Sequence, residues 1–155
     1  MPKNKLFAAL LLISVVSSCR PMSLEEQFVR QKIPVEIQNG KTVRVEIHSL
    51  SGNGNNDVGI RCSPELWNFI TNSTKELAVQ LKDSSKPDTS IDAVNLGGGG
   101  DFLGYLTNVH YLFRIGGPRH AQATVEITFP NGPDKPTPAE IIVGKTVIDT
   151  KPLGS

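Results

Sequence analysis

The chain reads as a mainly β protein, a small antiparallel β-sandwich with one or two short helices, and three observations point there. Apolar residues recur at period two in several short runs, the signature of strands with one buried face. The 14 Gly and 11 Pro promise many turns. At 155 residues and 38% hydrophobic content the chain can bury one core without metal or disulfide staples. Six or seven strands with one polar face each fit two packed layers, and the size suits an immunoglobulin-like arrangement by analogy of architecture, with no Cys-to-Cys bridge or strand signature of that topology.

The elements follow in order. Ser23-Leu24-Glu25-Glu26 has capping-box spacing and predicts a short helix over 24–32, with Leu24, Phe28 and Gln31-Lys32 along a thin stripe. From Pro34 the period drops to two. Val35 and Ile37, then Val43, Val45 and Ile47, flank Gln38-Asn39-Gly40-Lys41, which predicts a hairpin whose Asn39 and Gly40 both take positive φ. After the polar loop Ser51 to Asp57, Val58, Ile60 and Cys62 share one face of a third strand.

Ser63-Pro64-Glu65 supplies an N-cap, a proline suited to the first turn and an acid at the positive helix end, so a helix of about two turns is expected over 64–71. Trp67 and Phe69, followed by Asn72-Ser73-Thr74-Lys75, fit a second hairpin as the alternative. Residues 77–81 read as a strand and 84–90 as a loop. The clearest hairpin pattern sets Val109, Tyr111, Phe113 and Ile115 on one face, with Ala121, Ala123, Val125, Ile127 and Phe129 on its partner. Pro130, Pro133, Pro136 and Pro138 break regular structure before a last strand near 140–148.

The first nineteen residues carry the most specific functional signal. Lys3 and Lys5 precede the run Leu6 to Val16, the basic and apolar regions of an export signal. Eleven helical residues rise only about 16 Å, short of the roughly 30 Å a spanning helix must cross. Val16-Ser17-Ser18-Cys19 then resembles the lipobox of bacterial lipoproteins: an aliphatic residue, two small residues and a cysteine. The resemblance implies diacylglyceryl on the Cys19 thiol and cleavage just before it; Arg20 next to it resembles the pattern that sends such proteins to the outer membrane in enteric bacteria. An ordinary secretory signal, cut without lipid, is the rival. The organisation expected is a signal over 1–18, an anchor with a helical linker over 19–33, a β domain over 34–150 and a tail over 151–155.

With Cys19 lipidated, Cys62 has no disulfide partner, and its alternating context reads as a buried small hydrophobe. Losing Lys3 and Lys5 leaves 14 basic against 15 acidic residues, so no charge footprint for nucleic acid is expected. Gly97 to Gly100 with Asp101 lacks the Lys-Ser/Thr and the glycine offsets of phosphate loops and reads as a turn. The Gly52 to Asp57 loop offers one carboxylate where calcium sites collect several, and His48, His110, His120 and Cys62 lack zinc-ligand spacing. No cofactor, metal or catalytic set is expected.

The function expected is therefore a non-catalytic envelope lipoprotein, held to the membrane by lipid on Cys19, whose domain binds an envelope protein or polysaccharide. Arg119 and His120, at the tip between the two longest strand patterns, are the candidate contact residues. The alternatives are an enzyme with a dispersed site, drawing on His48, Asp57, Cys62, Asp101, His110 and His120, or a small-ligand or ion-binding module.

Overall fold

Period-two apolar runs do build the strands, but their pairing is not the pairing of hairpins. The computed structural model describes residues 20–48, 55–72, 77–92, 106–117 and 121–146. Within them lie α1 (Leu24–Phe28), β1 (Val29–Ile37), β2 (Thr42–Ile47), β3 (Asn56–Arg61), α2 (Pro64–Thr71), β4 (Ala78–Ser84), β5 (Ser90–Ile91), β6 (Val109–Gly116), β7 (Ala123–Thr128) and β8 (Thr137–Lys145). They form a sandwich of two antiparallel sheets: sheet A in the order β1-β8-β3-β6-β5 and sheet B in the order β2-β7-β4.

The first and second strands thus lie in different sheets. An immunoglobulin domain places them side by side. Here β1 pairs with β8, β2 with β7 and β3 with β6, a nested antiparallel order that stops short of β4 and β5, which pair with β7 and β6 instead of with each other. That nesting of first with last is the jelly-roll wiring of a β-sandwich.

Both expected hairpins become connections between the sheets, and for the first its hydrogen bonds give the reason. In the turn after β1, Lys41 N–H closes onto Gln38 O, while Asn39 N–H donates to Pro133 O and Gln38 Nε2 donates to Asp134 O. The turn is thereby held to the 129–134 segment rather than to a neighbouring arm. Gly40 alone takes positive φ, +68°, and Asn39 does not, which rules out a type I′ hairpin turn. The second connection, 117–122, carries the chain from β6 in sheet A to β7 in sheet B.

The inner faces hold the core: Ile37, Val45, Ile47, Val58, Ile60, Phe113, Ile115, Val125, Ile127, Phe129, Ile141 and Val143 are buried together. On β6 the expected face is correct only in its second half. A bulge opposite Val58 and Gly59 inserts Leu112 into the core, so Phe113 and Ile115 point inward while Val109 and Tyr111 turn outward. There they meet Ile142, Leu106, Phe28 and Val29 in a second small apolar cluster on the outer face of sheet A.

Two boundaries also move. The first helix stops at Phe28, because Val29 to Ile37 pairs with β8 and belongs to the sandwich. The last strand is a single run from Thr137 that admits Pro138 before β3 joins its other side at Glu140. The helix over 64–71 forms as expected, with Ser63 Oγ accepting from Leu66 N–H and with Leu66 and Ile70 buried.

Candidate functional site

Cys19, Asp101, Arg119, His120 and the glycines 97–100 lie outside the described residues. The structure places the other candidates far apart in role. Cys62 is a buried free thiol at the end of β3, and burial pushes its pKa up to about 11. A thiol protonated at neutral pH is a poor nucleophile, so Cys62 is a packing residue, as its alternation suggests.

By strict alternation, the face that carries Val109 and Tyr111 would leave His110 on the opposite, polar face. The bulge at Leu112 reverses that: His110 sits opposite Ile60, an inward position, and its ring stacks on Trp67 of α2 with centroids 4.0 Å apart and planes 4° from parallel. Burial lowers its pKa below 6.5. This stack joins α2 to sheet A.

Asp57 belongs to β3 rather than to the preceding loop, and it is 1% exposed. Its Oδ1 accepts from Arg114 Nε at 2.8 Å, across the β3–β6 pair, and from Thr146 Oγ1 at 3.2 Å. Arg114, one third exposed, is raised in pKa first by its bond to Asp57. The one carboxylate of the oxygen-rich loop is thus already neutralised by an internal cation. Oδ2 of Asp57 and both polar atoms of the neighbouring Asn56 side chain are buried without a hydrogen-bond partner. Asn56 stands beside Lys145 on β8 and Ile115 on β6, at the same end of the sandwich as the connection from β6 to β7.

On the sheet B side of that end is a concavity of about 340 Å³, lined by Glu46, His48, Asp83, Ser84, Ser85 and Gln122 among others. Three elements shape it: the end of β2, the end of β4 and the start of β7. A register shift between Leu81 and Asp83 re-aims Asp83, and Arg44 stands 4.0 Å from the Glu46 carboxylate and 3.9 Å from that of Asp83. Gln122 and Ser85 are tied by two hydrogen bonds, Gln122 N–H to Ser85 Oγ at 2.6 Å and Ser85 N–H to Gln122 O at 2.9 Å. His48 and Glu46 are exposed, as the alternation of β2 predicts.

Hydroxyl, amide and carboxylate groups on a half-open floor can hydrogen-bond a polar ligand. Of the four described groups weighed for a dispersed catalytic site, only His48 lines this concavity. Among the described residues no three His, Cys, Asp or Glu side chains are grouped to hold a metal ion. The concavity itself was not legible in the sequence, because its lining comes from three strand ends that span positions 46 to 124 of the chain. Matching the chain against known families, curated proteins and solved structures finds no match in any of the three.

Proposed function

We propose that the protein is a bacterial envelope lipoprotein, held at the exported side of a membrane, outer rather than inner, by lipid on Cys19. Its β-sandwich is a non-catalytic binding domain for an envelope protein or polysaccharide. The observation that carries the binding reading is the position of Gln122: it lines the polar concavity, is pinned to Ser85, and follows His120 by only two residues. Arg119 and His120 precede Gln122 by three and two positions in the chain. Arg119 adds a planar fork of donors suited to carboxylate or other anionic groups.

The anchor is tested by growth of a bacterial host on clickable fatty acid: wild type takes the label and Cys19→Ala does not. Retained label in Cys19→Ala removes the anchor from the reading. For the binding surface, the anchored protein is used to recover partners from envelope extract and from purified envelope polysaccharide. The pair Arg119→Ala with His120→Ala should lose that partner while the melting temperature holds, since surface changes usually cost less than about 0.5 kcal/mol. Equal recovery by the double variant places the contact elsewhere.

A further inference from the structure

The segment just after Cys19 is fastened to one side of the sandwich, and this constrains how the domain stands on a membrane; the inference rests on the reading of Cys19 as a lipid anchor. Ser23 and Glu26 close a reciprocal capping box at 2.8 and 3.2 Å. Glu25 then bonds Lys32 of β1 and, at 3.0 Å, Nη2 of Arg61, which also holds Glu140 of β8. Lys32, Arg61 and Glu140 flank the inward residues Ile33, Ile60 and Ile141, so all three point outward from sheet A. Phe28 and Val29 complete the attachment by packing on the outer cluster with Ile142.

Only three residues of chain lie between Cys19 and Ser23, four steps with a reach of at most about 14 Å. A docked helix on so short a tether cannot carry the sandwich far from the bilayer. Three large hydrophobics are exposed among the described residues, and two of them, Met22 at 59% and Leu24 at 54%, lie within five positions of Cys19. Beside them a concavity of about 220 Å³ mixes Glu25 and Glu26 with Arg30 and Lys32, a balance of charge that suits zwitterionic headgroups. We propose that the α1 side of sheet A lies against the bilayer, with Met22 and Leu24 entering the headgroup boundary, where their apolar surface leaves water. The 340 Å³ concavity lies at the ends of β2, β4 and β7 in sheet B, joined to the α1 side only through the Gln31 bonds to Glu46 O and His48 N–H.

The test uses the full lipidated protein, reconstituted in phosphatidylcholine–phosphatidylethanolamine vesicles with brominated acyl chains. A polarity-sensitive fluorophore is placed on Leu24→Cys and, separately, on Gln80→Cys, an exposed position of β4 on the far sheet. The buried Cys62 does not compete for label in the folded protein. Emission at position 24 should shift to the blue and be quenched several-fold more strongly than at position 80. A label on Met22→Cys should repeat the result should Leu24→Cys fold poorly. Equal quenching at both sites, or none at either, on protein that carries the fatty-acid label overturns the docking and leaves the anchor standing. Absence of fatty acid on Cys19 overturns the anchor and the docking with it.

Discussion

Cys62 and His110 show how one residue's chemistry follows from its burial. The Cys62 thiol keeps its proton to about pH 11 in the fold, against 9.0 in the open chain, so between those values the unfolded state sheds a proton that the folded state holds. Stability present below pH 9 is lost as pH rises toward 11, and urea titrations of wild type and Cys62→Ala should diverge in that window and run parallel below it. Native thiol reagents should react slowly, and rapid labelling before denaturation would refute the buried thiol. His110 has the opposite sign. Its folded pKa is depressed by burial, so its contribution is present above pH 6.5 and is lost as pH falls through the lower folded value. Trp67 is the one tryptophan and lies on the His110 ring, so its emission should change with a midpoint below 6.5. His110→Ala should remove that step; an unchanged step would show that another group reports.

Single elements depend on their ends. Gly40, at φ +68°, has open space where a Cβ would stand, so Gly40→Ala should cost only backbone strain, about 1 kcal/mol in chemical denaturation. Gly132 faces the same turn differently. A Cβ there would stand 3.0 Å from Asn39 N and 3.1 Å from Gln38 C, so Gly132→Ala must shift the turn by a few tenths of an ångström against the 129–134 segment. Helix α2 was legible because cap, proline and apolar spacing sit within eight residues. The length of α1 was not, since Val29 to Lys32 suits either state and only pairing with β8, more than a hundred residues away, selects strand.

At the scale of the molecule, the wiring brings the edge strand of one sheet beside the edge strand of the other. Gln31 of β1 bridges them: its Nε2 donates to Glu46 O at 2.7 Å, and its Oε1 accepts from His48 N–H at 3.1 Å. Gln31→Ala should open this seam at a cost of about 1 kcal/mol and speed hydrogen exchange at the His48 amide, with exchange at the Val125 amide in central β7 unaffected. An unchanged His48 rate would mean the seam closes by packing alone. The same closure blunts both edges, where Lys32, Pro34 and Glu36 on β1 stand exposed in place of an apolar row.

The sequence by itself determined the β class, the inward Val35 and Ile37 of β1, the inward residues of β2 and β7, the helix after Ser63 and the burial of Cys62. Each rests on spacing within a few residues, where alternation and capping act. Only the tertiary structure decided that β1 joins β8, that Leu112 reverses the faces of Val109 and His110, that Asp57 meets Arg114, and that three strand ends enclose a polar concavity. An alternating strand specifies which face is buried but leaves its partner open, because any strand with the same period can satisfy its backbone hydrogen bonds.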